Sequence, residues 1–392
     1  MNLLRRQVSG PGIHALIVGV SAYSELPDGD VDGPDRLLRL RRLQSPALTA
    51  FRIADWLQCS ARSALSLASC RLLVAPSDAE MNAEPRLKTL KHGSRFEDFA
   101  KAAADWRKDA AIDPANITLF YFAGHGAQRT NRSHVLLLQD FGVGAAVFGK
   151  GVDTSSLLKG MLPGGEFPRL ALRQLYFIDA CRVRPRYVLK YDTTDAGALW
   201  DGPGSDYDDR AITLYFAVTA GRTAYSRKGE QTIFSSALLD CLTGKVTEAV
   251  REPDSSETDW HISVHSLSRP LQGRVELLSS AIKKVQRCSL ERMGEDVILN
   301  RLDGPPMICC KIGVEPEHAS DCAHLLVANN VDEPVMPPVK APIRPHPFPA
   351  PLPAGLYQVR ATIRPPTAPF VDRRRLFRVA PNQSRKLTVP VT

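Results

Sequence analysis

Two reactive side chains stand where apolar, strand-forming runs stop. His125 closes the run in Ile117–Gly126 (ITLFYFAGHG), and Cys181 closes the run in Leu175–Arg182 (LYFIDACR). A thiol attacks carbonyl carbon as its thiolate, and an imidazole beside it can take up the proton and later hand it to a leaving group. The two residues are therefore the minimum equipment for nucleophilic catalysis by cysteine with a histidine base. Continuous apolar runs flanked by helical patterns suit the buried strands of a parallel sheet, and in such sheets chemistry gathers beyond the carboxyl ends of the strands. Neighbouring strands lie about 4.8 Å apart, which brings side chains at two adjacent strand ends within mutual reach.

The elements that must position these residues alternate along the first 250 residues. His14–Val20 reads as a first strand and Pro46–Gln58 as a helix with Leu48, Phe51, Ala54 and Leu57 along one stripe. Arg71–Val74 is a short strand. Ser94 and Glu97 have capping-box spacing ahead of Phe96, Phe99, Ala103, Trp106 and Ala110, which recur at helical period. The His125 strand, a short helix near Ser155–Met161, the Cys181 strand, a strand over Ile212–Thr219 and a helix over Thr232–Leu242 follow. This order predicts an α/β fold, a mostly parallel sheet with helices on both faces. A further helix is expected over Val275–Gln286. From Pro306 the helical period disappears and five strand candidates (Met307–Val314, His324–Ala328, Leu356–Ile363, Arg375–Val379 and Lys386–Val391) predict a small β-sandwich. Nine prolines between Pro334 and Pro353 exclude a central strand there; a linker and an ordered connection are both open. The expected organisation is a catalytic domain over 1–250, a helical connector over 251–305 and an immunoglobulin-like β-sandwich domain over 306–392.

Composition limits the function classes. With 44% apolar and 23% charged residues in 392, the chain is a soluble globular type. Its apolar runs fall far short of the roughly 18 residues of a membrane span, and MNLLRRQVSGPG carries no signal-peptide cleavage pattern. Eight cysteines show no disulfide framework, so a cytoplasmic setting is expected. The net charge of +8 is spread along the chain without an RNA-binding or helix-turn-helix signature, which argues against nucleic acid as a partner. Cys309, Cys310, His318, Cys322 and His324 fall within sixteen residues, but they lack a C-x-x-C pair and neighbouring strand residues face opposite ways. No metal and no cofactor is expected.

Gly124–His125–Gly126, followed 56 residues later by Asp179–Ala180–Cys181, resembles the caspase-like cysteine peptidases, the group of caspases, metacaspases and paracaspases, in motif, order and spacing. The likeness covers roughly Ile13–Gly244. It implies a caspase-like sheet, protein substrates, Cys181 as nucleophile and His125 as its base. The N–H groups of Gly126 and Cys181 would form the oxyanion hole, where the missing side chain of Gly126 lets its backbone approach the tetrahedral oxygen. In relatives that cleave after Arg or Lys, an Asp two residues before the nucleophile lines the first specificity pocket. Asp179 stands there and could hold a guanidinium in bidentate fashion. Thr49 or Ala50, and Thr223, replace further pocket acids of those relatives, so one carboxylate remains where others have two or three.

The connection Val183–Arg210 follows the nucleophile directly, basic in its first part (Arg184, Arg186, Lys190) and acidic in its second. Such length suits a functional or a disordered segment. By the resemblance it is a candidate for activating cleavage of a zymogen, with an activating protease or regulator as a further partner. At the level of fold analogy, such enzymes suit one-way signals, including cell death and phage defence. The rival reading is a non-catalytic caspase-like scaffold that acts through its C-terminal β-domain.

Overall fold

The computed structural model describes residues 1–28, 38–129, 133–144, 146, 148–184, 200, 208–226, 229–253, 259–365, 369–381, 383 and 385–392. Two compact units are formed: Met1–Leu242 with Ser263–Asn300, and Thr243–Ile262 with Arg301–Thr392.

In the first unit the strands are β1 (Asn2–Arg5), β2 (Ile13–Val20), β3 (Leu67–Ala75), β4 (Ile117–Gly124), β5 (Gly126–Gln128), β6 (His134–Leu137), β7 (Gly151–Asp153), β8 (Arg173–Ala180) and β9 (Ala211–Phe216). After β10 (His261–Ser263) come β11 (Ser289–Arg292) and β12 (Ile298–Arg301). The helices are α1 (Pro46–Cys59), α2 (Asp78–Ala83), α3 (Phe96–Ala110), α4 (Thr154–Gly160), α5 (Ile233–Leu242) and α6 (Val264–Ser280). Seven strands make one sheet in the order β1-β3-β2-β4-β8-β9-β11. The inner strands run parallel, and β1 and β11 close the edges antiparallel. Buried on both faces, β2, β3 and β4 are buried along their whole lengths, as expected for strands covered by helices on either side.

Phe99, Ala102, Ala103 and Trp106 of α3 pack with Phe120, Phe122, Tyr176 and Ile178 of the sheet. Each large apolar side chain fully buried in this way contributes about 1.5–3 kcal/mol. On the other face α1 lies hard against β2, because Gly19 has no side chain: a Cβ there would sit 2.5 Å from Pro46 O and 2.6 Å from Ala50 Cβ. The start of α1 is satisfied by tertiary groups. Buried Glu80 accepts from Leu48 N–H (3.0 Å) and Ser21 Oγ–H (2.9 Å), and Ser21 Oγ accepts from Ala47 N–H.

Local readings failed at three places. The Ser94–Glu97 capping box is absent: Arg95 is the N-cap, Phe96 N–H goes to Asp140 Oδ1 at 2.9 Å, and Ser94 Oγ is left unpartnered among the described residues. The local carboxylate contact sits one residue along, Arg95 N–H reaching Asp98 Oδ2 at 3.3 Å, and a long-range carboxylate holds the next N–H. The late helix spans Val264–Ser280 and not Val275–Gln286. It is capped by a Ser263–Ser266 box and carries Pro270 inside it, a residue that ordinarily breaks or kinks a helix interior. The small antiparallel sheet β5-β6-β7 was not expected, its strands being only three or four residues long.

The second unit contains β13 (Met307–Glu315), β14 (Ala323–Asn329), β15 (Phe348–Pro353), β16 (Gly355–Ile363), β17 (Arg373–Val379) and β18 (Lys386–Pro390). They form two three-stranded sheets, β15-β13-β18 and β14-β16-β17. Alternate residues, Ile308, Cys310, Ile312 and Val314 from one sheet and Val359, Ala361 and Ile363 from the other, fill a common core. The proline-rich stretch ends in β15, which is an edge strand, the place where missing N–H donors are tolerated.

Candidate active site

β4 and β8 are paired in parallel with Gly124 opposite Ala180, so His125 and Cys181 leave adjacent strand ends at the same level. Both line one cleft of about 870 Å³, together with Arg39, Arg41, Gly126, Asp179, Thr223, Ala224 and Thr232. Of the expected site residues, His125, Cys181, Gly126 and Asp179 all border this cleft.

The main chain at His125 is pinned on both sides. Its C=O accepts from Leu137 N–H at 3.0 Å. Its N–H donates to Tyr23 Oη at 2.7 Å, while Tyr23 Oη–H donates to Leu137 O at 3.2 Å. The Tyr23 hydroxyl therefore stands inside the ladder, bridging a donor and an acceptor that would otherwise pair directly. The tyrosine ring also packs against the imidazole, centroids 5.0 Å apart. His125 Nε2 lies 2.7 Å from Arg41 O. A carbonyl only accepts, so Nε2 carries the proton and Nδ1 is the free base of the neutral ring. Burial lowers the His125 pKa to about 4, which keeps the ring neutral at physiological pH.

Cys181 is partly exposed. Burial raises the thiol pKa, opposed by a hydrogen bond from Ala224 N–H, which reaches Sγ at 3.3 Å. The carbonyl of Cys181 accepts from Nε2–H of His134 at 2.9 Å, and burial lowers the His134 pKa to about 4. This second histidine presses on Gly126: a Cβ at Gly126 would sit 2.6 Å from His134 Nε2 and 2.7 Å from Cys181 O. Only glycine fits there, for reasons of close approach. The ladder also fixes where the Gly126 amide points. Leu137 N–H to His125 O and Arg129 N–H to Ser133 O mark the odd positions as those bonded to β6. Even positions direct their N–H to the opposite edge; Gln128 N–H accordingly reaches Val183 O at 3.0 Å, and Gly126 N–H faces the same side, toward the Cys181 segment.

Asp179 points to the face opposite Ile178 and Ala180 and is 2% exposed. Its Oδ2 accepts from Tyr121 Oη–H at 2.8 Å and from the Thr232 hydroxyl, while Oδ1 has no partner among the described residues. Burial raises the carboxyl pKa to about 6 against the lowering effect of these two donors. Thr49 is buried and accepts from Thr232 N–H at 3.0 Å, so it orders the Asp179 partner and does not add charge. Of the candidate processing segment 183–210, only residues 183, 184, 200 and 208–210 are among those described.

Sequence reasoning missed Tyr23, Tyr121, His134, Thr232 and the Arg41 carbonyl. His134 alone left a trace, a histidine heading the apolar run HVLLL shortly after the first motif. His14, by contrast, is a packed histidine on β2 with Nδ1 2.9 Å from Ser69 Oγ. Among the described residues, no group of three or more His, Cys, Asp or Glu is arranged to hold a metal ion, and no helix is long and apolar enough to cross a membrane.

A parallel sheet with a cysteine and a histidine at neighbouring carboxyl ends defines a caspase-like protein. The chain matches the caspase-domain peptidase family over residues 14–255 and belongs to that family. Among solved structures it is similar to a protein of Geobacter sulfurreducens, at 14% identity over 73% of this chain and 94% of that one, with a TM-score of 0.40. It is likewise similar to caspase-1 of Spodoptera frugiperda, at 14% identity over 74% and 94%, with a TM-score of 0.41. No curated protein sequence matches the chain.

Proposed function

We propose that the protein is a cysteine endopeptidase that hydrolyses peptide bonds after arginine or lysine. The observation that carries this reading is the shared cleft: Cys181 and His125 at paired strand ends, with the unpartnered Oδ1 of buried Asp179 beside them.

In the proposed reaction the Cys181 sulfur attacks the scissile carbonyl carbon as its proton passes to His125 Nδ1. The bond between Nε2–H and Arg41 O holds the ring in the tautomer that leaves Nδ1 basic, and it is strengthened as the ring becomes cationic. Negative charge growing on the carbonyl oxygen is met by the N–H groups of Gly126 and Cys181, an arrangement worth roughly 3–4 kcal/mol per donor in comparable sites. The imidazolium protonates the leaving amine, and water then cleaves the thioester by the reverse use of the same base. A P1 guanidinium reaching Asp179 finds a carboxylate oxygen with no competing donor. The second β-unit would serve to recruit a substrate or regulator.

The test is incubation of wild-type and Cys181→Ala protein with a mixed peptide library, new termini being mapped by mass spectrometry. Cleavage after Arg or Lys that vanishes in the variant is expected. Termini that persist in Cys181→Ala, or that follow other residue types, would overturn the mechanism or the specificity respectively.

A further inference from the structure

The sulfur of Cys181 is approached by a backbone donor on a loop that is held in place from far along the chain. Ala224 lies in the segment 217–226 after β9, and its N–H is 3.3 Å from Sγ. Gln286, 2% exposed, clasps that segment at two points: its Oε1 accepts from Tyr225 N–H at 2.9 Å, and its Nε2–H donates to Ala217 O at 3.0 Å. The residue is itself fixed, its own N–H donating to Ser279 Oγ at 3.2 Å. Its neighbour Arg287 accepts through its carbonyl from Thr219 N–H at 3.0 Å. Both faces of the Gln286 amide are thus used, and one of its bonds falls on the residue next to the sulfur's donor.

We infer that Gln286 is a positioning residue for the nucleophile: it holds the Ala224 N–H on the Cys181 sulfur and so favours the thiolate. The physical reason is that a hydrogen bond to an ion is stronger than one to the neutral form, so a donor kept on sulfur selectively stabilises the anion. Burial opposes ionisation of this thiol; in the neutral form its S–H also faces Ala224 O at 3.9 Å, so the Ala224 N–H at 3.3 Å is the contact that stabilises the sulfur once its proton has gone. Freed from Gln286, Tyr225 N–H would seek water and the loop would carry Ala224 away. Gln286 lies outside the span matched by the caspase family, which ends at residue 255. The segment after α6 therefore contributes to the nucleophile's environment from beyond the family's own motif.

This inference rests on the reading of Cys181 as nucleophile, and its test avoids substrate altogether. The rate of iodoacetamide alkylation at Cys181, followed by peptide mass spectrometry so that the other cysteines do not intrude, is measured from pH 6 to 10.5 in wild-type and Gln286→Met protein. The midpoint is expected to rise by about one unit, with alkylation at pH 7.5 slowed about tenfold. A folded Gln286→Met protein with the wild-type profile would overturn the inference, whereas failure of wild-type protein to cleave peptides would strike only the protease reading. Should Gln286→Met not fold, a backbone ester introduced at Ala224 removes the N–H alone. The same upward shift is then expected, and an unchanged midpoint overturns the inference.

Discussion

Asp179→Asn should make this protein more stable at neutral pH while abolishing the proposed cleavage after basic residues. The carboxyl is buried and its pKa is raised from 3.8 to about 6. A native pKa above the unfolded one means that the unfolded chain ionises first as pH rises. Ionisation therefore draws the equilibrium toward unfolding between about pH 4 and 6, and the penalty is complete above that window. Roughly two units correspond to about 3 kcal/mol at pH 8, most of it gone by pH 4. Asparagine keeps one oxygen for Tyr121 and Thr232 and places an uncharged amide where Oδ1 stood. An amide left without a partner costs about 1 kcal/mol, leaving a net gain of about 2 kcal/mol, or on the order of 4 °C for a unit of this size.

The assay is thermal unfolding of both proteins from pH 4 to 8, because every other titrating group cancels in the difference between them. The gap should favour Asp179→Asn at pH 8 and shrink or reverse at pH 4. In parallel, cleavage after Arg should fall at least a hundredfold in the variant. In the wild type, cleavage after Arg should decline below about pH 6 as the carboxylate is protonated. A stability gap that is independent of pH, or an Asp179→Asn protein that is less stable at pH 8, would refute the account of Asp179 as a buried carboxylate with one oxygen left without a partner among the described residues.

Two further substitutions test the scaffold around the cleft. Gly126→Ala puts a methyl within 2.7 Å of two polar atoms, one of them backbone. Overpacking of this kind should cost about 1–3 kcal/mol and a displacement near 1 Å about a hundredfold in peptide cleavage, read by unfolding and by kcat/KM; wild-type values in both would exclude the close approach. Tyr23→Phe removes the hydroxyl that joins His125 N–H to Leu137 O, leaving a buried donor and acceptor unbridged. A loss of about 2–3 kcal/mol is expected, with kcat reduced and KM little changed, since in the proposed reaction the tyrosine would orient the base and not bind substrate.

What could be read from the sequence was whatever depended on uninterrupted local pattern. β4 and β8 are legible because each is a continuous apolar run that ends on a reactive residue, and their parallel pairing follows from the helical segments between them. The stripe of α3 is legible for the same reason, but its capping is only partly so, since the acceptor of Phe96 N–H is Asp140, 44 positions away. α6 begins eleven residues before the expected helix and contains Pro270, a residue type that carries the signal of a helix boundary and not of an interior. Thr232, Tyr121 and Gln286 carry no local mark of their role. Each matters because the fold brings a hydroxyl or an amide to a particular carboxylate or loop, and that depends on strand register and helix docking, which single-sequence pattern does not encode.

The resting state of the site follows from how its two reactive groups are buried. Burial lowers the His125 pKa to about 4 and raises that of the Cys181 thiol, so both shifts oppose moving the proton from sulfur to nitrogen and favour neutral thiol with neutral imidazole over an ion pair. In the proposed reaction, proton transfer would therefore accompany attack on the carbonyl and not precede it. The hydrogen bonds that touch the pair are arranged for that moment: Arg41 O strengthens its hold as the ring gains charge, and Ala224 N–H as the sulfur sheds its proton. Neither bond needs to form anew, so the reorganisation usually required to meet new charge is already in place before a substrate arrives.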